Sequence, residues 1–270
     1  MDRNPISKAI QALTWMLTVP SENVGVREMA TGLKVSPSTA HRLFAALADE
    51  GLVRQDAISG RYSLGLGAFR LGQLAVSRVP LRQIAIRHMT KLVEACNETA
   101  VLGLYDDARR EMIFAASVES SNSLRYVLEL NAWMPIHAGA SGLAILAFLP
   151  EQDREAVKSQ ARHKAITDRT LTDPTRLEQE VQKIRARGYA ITRGQRIPGA
   201  VGIAAPLMGP GGRMVGDVCL TIPEQRFKES TEKSLASQLL QCTGGISSET
   251  GGQKATMAAR RVAATSASRR

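Results

Sequence analysis

Cysteine is scarce in this sequence: three residues in 270, at Cys96, Cys219 and Cys242, far apart and with no pair at metal-ligand spacing. A disulfide framework and a structural zinc site are thereby excluded, and a reducing compartment is expected. Aromatic residues make up only 4%. The longest apolar run, Leu143 to Leu149, has seven residues, far short of the roughly 20 that a membrane helix needs. The opening Met1 to Ile10 is polar and charged, so no secretory leader is expected and the protein should stay in the cytoplasm, with no membrane partner.

Acidic residues are in deficit, with 25 Asp+Glu against 35 Lys+Arg and a formal net charge of +10. Such an excess suits an anionic partner. Half of it, however, comes from five cations (Lys254, Arg260, Arg261, Arg269, Arg270) in 251–270, a stretch without any acidic residue. That Ala/Ser/Thr-rich end reads as a basic, disordered tail, so charge alone does not establish nucleic-acid binding.

Signatures of catalysis are missing too. Gly139-Ala140-Ser141-Gly142 is not a nucleophile elbow, because its second glycine falls one place early. No phosphate loop or dinucleotide glycine pattern is present. His41, His88, His137 and His163 have no carboxylate or cysteine at a motif spacing. The sequence therefore predicts no enzyme, no catalytic residue, no metal site and no cofactor.

What is present is ample core material, with 44% hydrophobic and 22% charged residues, in a chain long enough for two domains. Ile6, Ile10, Leu13 and Leu17 recur at helical spacing, which predicts a first helix over 7–17. A short second helix spans Val26 to Leu33. Ser36 and Pro37 then supply an N-cap followed by proline at the first helical position. Ala40, Leu43, Phe44 and Leu47 form the buried stripe of a third helix, closed by Gly51. Strands at Leu52–Gln55 and Arg61–Leu64 flank the turn-rich Asp56 to Gly60 and make a hairpin. Three helices and a hairpin in this order define a winged helix-turn-helix over 3–65, whose third helix is presented to a DNA major groove.

Leu66 to Ser77 reads as a linker helix, with the linker extending to residue 80. From 81 to 250 the texture is α+β. Strands are expected at Ala100–Tyr105, Met112–Val118, Arg125–Leu128, Tyr189–Thr192, Ile203–Met208 and Met214–Ile222. Helices are expected at Leu81–Ala95, Ser141–Phe148, Glu151–Gln160, Pro174–Arg187 and Thr231–Gln241, and Gly211-Gly212 turns the last hairpin.

On the third helix Ser38, Thr39, His41 and Arg42 can point away from the apolar stripe. Hydroxyls and a helix N-terminus, including Ser36, suit phosphate oxygens, while His and Arg reach base edges. Arg61 at the wing tip and Arg27 at the start of the second helix are candidate backbone contacts. A solvated helix face is the alternative reading of these residues. In the second domain, the small residues Ala140, Ser141 and Gly142 open a helix whose free N–H groups suit a carboxylate. Cys219 and Thr221 alternate onto one face of a strand.

Four segments carry a resemblance that spans about Ser7 to Cys242. They are Ser36-Pro37-Ser38-Thr39-Ala40-His41-Arg42-Leu43, Gly60-Arg61-Tyr62-Ser63-Leu64-Gly65 and Pro135-Ile136-His137-Ala138-Gly139-Ala140-Ser141-Gly142. The last is Arg187-Gly188-Tyr189-Ala190 with Gly199-Ala200-Val201-Gly202-Ile203-Ala204-Ala205-Pro206. In this order and at these separations the chain resembles the IclR family of transcription regulators. The resemblance implies a GAF-like C-terminal domain, an antiparallel sheet with flanking helices. It also implies a homodimer or dimer of dimers on a double-stranded DNA operator, and a small-molecule effector that controls a catabolic operon. The effector pocket it implies draws on Ser123, Tyr126, Ala140, Ser141, Thr192, Gly202, Cys219 and Thr221. Leu143 stands where the family commonly has lysine, and Thr192-Arg193-Gly194-Gln195-Arg196 replaces an acidic run. Arg193 and Arg196, if turned inward, favour a carboxylate effector. A C-terminal domain that serves only oligomerisation is the competing reading.

Overall fold

The computed structural model describes residues 4–77, 80–159 and 164–252, and its contacts divide into two units, Met1–Pro80 and Leu81–Arg270. The first unit opens with α1 (Pro5–Thr18), α2 (Val26–Leu33) and α3 (Pro37–Asp49), followed by the antiparallel strands β1 (Val53–Gln55) and β2 (Tyr62–Leu64). It closes with α4 (Leu66–Ser77).

Helices α1 and α3 begin where capping chemistry permits. Asn4 Oδ1 accepts from the Ile6 N–H, Ser36 Oγ accepts from the Thr39 N–H, and a proline follows each cap. One cluster holds this unit together: Ala12 and Met16 of α1, Met29 of α2, Ala40, Leu43, Phe44 and Leu47 of α3, and Val53 and Tyr62 of the hairpin. The rings of Phe44 and Tyr62 stack with centroids 3.9 Å apart and planes 1° from parallel, so the third helix and the wing share one contact. Gly32 lets α2 approach α1, because a Cβ there would lie 2.4 Å from the Trp15 ring nitrogen.

The second unit is built on a six-stranded antiparallel sheet in the order β5-β4-β3-β8-β7-β6. Its strands are β3 (Thr99–Asp106), β4 (Glu111–Val118), β5 (Met134–Pro135), β6 (Ala190–Arg193), β7 (Ala200–Met208) and β8 (Met214–Pro223). Alternation along the strands feeds two cores. Val218, Leu220 and Ile222 of β8 face α5 (Pro80–Cys96) and α9 (Glu232–Glu249). Cys219 and its neighbours face α6 (Gly139–Phe148), α7 (Glu151–Lys158) and α8 (Pro174–Arg187).

Helix α6 is buried from Gly139 to Ala147, the pattern of a helix packed on all sides. Leu143 is fully buried in the cluster that holds Leu177 and Val181 of α8, a site where a lysine would bury a charge. At α8, Asp173 Oδ1 caps the Arg176 N–H at 2.8 Å and Gly188 closes the helix at φ 89°.

Three expectations need correction. The strand expected at Arg125–Leu128 is absent, and the segment runs as a loop. The outer edge of β4 is instead paired by β5, with Glu111 opposite Pro135 and Met112 opposite Met134. The loop spends its polar groups locally: Arg125 bonds Glu119 and the Asn122 carbonyl, and Tyr126 bonds the Pro198 carbonyl. The last helix reaches Glu249 instead of Gln241, because Cys242 and Ile246 continue its apolar face into the core. Helix α7 ends at Lys158, short of the expected Gln160. The tail assigned to 251–270 falls, from residue 253 on, outside the described residues.

Candidate functional site

On α3 the apolar stripe faces inward, and Ser38, His41 and Arg42 lie exposed together at i, i+3 and i+4. The His41 and Arg42 side chains make no hydrogen bond or ion pair to any described residue. Ser36 serves the fold itself. Its hydroxyl caps the helix at 3.2 Å from the Thr39 N–H and touches the Ser38 and Thr39 hydroxyls at 3.0 and 2.9 Å. Arg27 is exposed at the start of α2. Arg54 of β1, which pattern reading passes over, is exposed and bonds Ser63 Oγ at 3.0 Å across the hairpin.

Arg61 is not a free cation at the wing tip. Its guanidinium donates to the Asn23 carbonyl at 2.8 Å and to both oxygens of Glu28, also at 2.8 Å. Glu28 in turn accepts from the Gly25 N–H at 2.9 Å. The hydrogen bond from Arg61, followed by that from Gly25, holds the Glu28 carboxyl below its ordinary pKa. Arg61 thus fixes the wing to the start of α2. An ion pair this exposed is worth little by itself; its use here is geometric.

In the second unit a pocket lies between the first turn of α6, the loop after β6 and the α6-facing side of β7 and β8. Ala140, Ser141, Thr192, Gly202, Cys219 and Thr221 all line it. Their placement follows from register: Thr192, Gly202 and Thr221 are cross-strand neighbours on β6, β7 and β8. Ser123 is exposed in the loop before Tyr126 and does not line the pocket, and Tyr126 stays outside the lining with its hydroxyl on the Pro198 carbonyl at 3.1 Å.

Sequence reasoning misses Phe114, Leu128 and Ile197, which give the pocket its apolar wall. Arg193 and Arg196 part company. Arg193 turns outward to Glu229 and over the Phe227 ring. Arg196 turns inward, where one terminal nitrogen donates to the Pro135 and Ala138 carbonyls, each at 2.8 Å. Its Nε is buried without a hydrogen-bond partner, as is the Ser141 hydroxyl. Arg196 fills much of the pocket, leaving about 40 Å³ of free space, room for a few water molecules.

Beneath this pocket lies Asp217, two residues before Cys219 on the same face of β8. It is fully buried, and neither carboxylate oxygen has a hydrogen-bond partner. Burial pushes its pKa up to about 7, while the nearby Ser141 hydroxyl and the charge on Arg196 offset only part of that shift. Burial, and next the Asp217 charge, push the Cys219 thiol up to about 12, so it is a neutral wall residue and not a nucleophile. A polar residue in the apolar alternation of β8 was the available signal for Asp217. No group of three or more metal-ligating side chains occurs among the described residues.

A winged reading head joined in one polypeptide to an α+β domain with a small recess is the build of a one-chain DNA-binding transcription regulator. The family is settled by direct matches. The family model described as Bacterial transcriptional regulator IclR C-terminal covers residues 73–248, and that for the IclR helix-turn-helix domain covers residues 6–57. The chain belongs to the IclR family, and is accordingly a DNA-binding transcription regulator and not an enzyme.

Among curated relatives, the Glycerol operon regulatory protein of Streptomyces coelicolor is 31% identical over 89% of this chain and 94% of its own. The HTH-type transcriptional regulator BhcR of Paracoccus denitrificans is 29% identical over 86% of this chain and 82% of its own. Among solved structures, the Thermotoga maritima IclR aligns with TM-score 0.74 at 28% identity, covering 93% of this chain and 100% of that one. An IclR homolog from Microbacterium hydrocarbonoxydans, solved with 4-hydroxybenzoate, aligns with TM-score 0.78 at 21% identity over 91% of this chain and 98% of that one. No helix among the described residues is long and apolar enough to cross a membrane.

Proposed function

We propose that the chain is a cytoplasmic regulator of a catabolic operon whose operator affinity is set by a small carboxylate bound under the first turn of α6. Residues 3–65 read the operator, 66–80 form the linker helix, 81–250 hold the effector and 251–270 add non-specific affinity. Ser38, Thr39, His41, Arg42 and Arg27 are the DNA contacts, Arg42 at a base edge and Arg27 on the backbone. The protein works as a homodimer or dimer of dimers: Ile6, Ile10 and Leu17 of α1 and Leu66, Phe69 and Leu71 of α4 are exposed, and such apolar patches are normally covered by a partner.

One observation carries the carboxylate reading, namely the inward Arg196 beside the start of α6. Its guanidinium is committed on one side to two carbonyls and carries a buried, unpartnered Nε. A carboxylate supplies the acceptor that Nε lacks and also meets the helix N–H groups and positive dipole end. The 4-hydroxybenzoate complex of the Microbacterium homolog is in keeping with an acid ligand. The test is calorimetric titration of organic acids, 4-hydroxybenzoate included, against their amides, on the parent and on Ser141→Leu. Acids should bind, amides should not, and the leucine should abolish binding. Equal binding of the amides, or no effect of Ser141→Leu, overturns the reading.

A second reading, in which the C-terminal domain serves only oligomerisation, is favoured by the small space that Arg196 leaves. It holds if no acid raises the melting temperature, since a ligand that binds the folded state must stabilise it.

A further inference from the structure

Away from the pocket under α6, Arg110 is a cation whose surroundings do not match it. It ends the turn that joins β3 to β4, where Asp106 pairs with Glu111. Its backbone is left-handed, at φ 56°, a conformation that glycine and asparagine enter far more readily than a long side chain. The arginine side chain is partly buried and its Nε is shielded from solvent without a hydrogen-bond partner. The guanidinium forms no ion pair with any described residue. It has thus lost water without gaining a partner, which is costly.

Arg110 lines a cavity of about 350 Å³ between this turn, β5 with the residues after it, and α7, a volume within the roughly 300–1,000 Å³ of small-molecule sites. The cavity shares no lining residue with the pocket under α6. Its charges do not balance. Arg109 lies over the Trp133 ring, 4.3 Å from the centroid, and its Nε meets Glu111 at 3.2 Å, so the one carboxylate of the lining is already matched. Arg110 is left as excess positive charge. The rest of the wall is neutral or apolar. His137 is buried, with Nε2 donating to the Lys164 carbonyl at 3.1 Å, and Pro135, Ile136 and Val157 supply hydrocarbon surface. Pro135 also holds Arg196 through its carbonyl at 2.8 Å, so the two sites meet at one residue.

We infer that this cavity is a second ligand site and takes a small phosphomonoester. The phosphate sits on Arg110, whose Nε and terminal nitrogens form a fork with nothing in it, and reaches the neighbouring Arg109. Two guanidiniums suit a tetrahedral dianion, which offers three terminal oxygens, whereas a flat, singly charged carboxylate is filled by one fork. The ester's carbon part lies on Pro135, Ile136 and Val157, surface that a bare ion would leave unused. The inference stands apart from the carboxylate reading, since it uses neither Arg196 nor the start of α6.

The test is calorimetric titration of the full chain with propyl phosphate and with inorganic phosphate, on the parent, Arg110→Asn and Arg42→Ala. The parent should bind the ester several-fold more tightly than the bare ion, because part of the propyl chain leaves water. Arg110→Asn removes the fork and keeps a residue suited to the left-handed backbone. It should weaken ester binding at least about tenfold, the range of a charge-assisted hydrogen bond, while its melting temperature stays the same or rises. Arg110→Gly, equally at home at φ 56°, takes its place should the asparagine protein not fold. Arg42→Ala should bind the ester as the parent does, which separates this site from a phosphate contact on α3. No ester binding by the parent at about 10 mM, unchanged binding in the Arg110 variants, or an equal loss in Arg42→Ala overturns the site. Inorganic phosphate that binds as tightly as the ester overturns the ligand class, the cavity then holding an adventitious ion only.

Discussion

Exchange of Asp217 for asparagine keeps the side chain's size and removes its titration, which makes the cost of the buried carboxylate measurable. In the folded protein burial raises its pKa from 3.8 to about 7, whereas in the unfolded chain it returns to the ordinary value. Between those two the folded state holds a proton that the unfolded state has released. For an acid shifted upward, stability therefore falls as the pH rises from about 4 towards 7 and levels off above it. From pH 6 to pH 8 this one group costs about 1.4 kcal/mol, or about 3–5 °C in the melting temperature of a unit of this size. Calorimetric melting of the full chain at pH 6, 7 and 8, read at the transition of the C-terminal unit, gives the parent-minus-variant difference at each pH. Histidines that titrate in the same window cancel in that difference. It should change by about 1.4 kcal/mol in the variant's favour from pH 6 to pH 8, and a difference that does not move with pH refutes the reasoning.

Gly103→Ala should lower stability by about 1–3 kcal/mol through overpacking, because a Cβ there runs into Asp217 Oδ1, and the combined Gly103→Ala, Asp217→Ala protein should recover much of it in thermal denaturation. Arg42→Ala should weaken binding to the operator duplex by about 1–3 kcal/mol, with little change on scrambled duplex and none in folding, as read by titrations on both. Truncation after Gly252 should lower non-specific DNA affinity and flatten its salt dependence while leaving sequence preference in place, because the removed cations release counterions without reading bases. Competition assays over a salt series would show this, and loss of operator preference would count against it.

Much of this architecture can be read from the chain because its signals are local. Ser36-Pro37, Asp173-Pro174 and Gly188 mark helix ends by capping chemistry that depends on no distant residue, and they fall where expected. Arg125–Leu128 imitates a strand because Tyr126, Val127 and Leu128 stand in a row and Tyr and Val are enriched in strands. The two-residue β5 is too short to leave a periodic trace. At the wing, Arg61 has the look of a DNA contact since nothing in its own neighbourhood announces Glu28, 33 residues away. The inward turn of Arg196 and the outward turn of Arg193 depend on Ala138 and Glu229 respectively, partners 58 and 36 residues distant. Glycine at 103 cannot be linked to Asp217 until the register of β3 and β8 is known.

The six-stranded sheet has an unequal outline: its inner strands β3, β4, β7 and β8 run for 8 to 10 residues, while the flanking β5 and β6 have two and four. One border ends in a proline, Pro135, and the other carries Arg193. Short borders with a missing N–H or a charge give a stranger's strand little to pair with. Such borders disfavour side-by-side growth of the sheet where they lie, over residues 111–112 of β4 and 201–204 of β7, when the protein is concentrated or newly made.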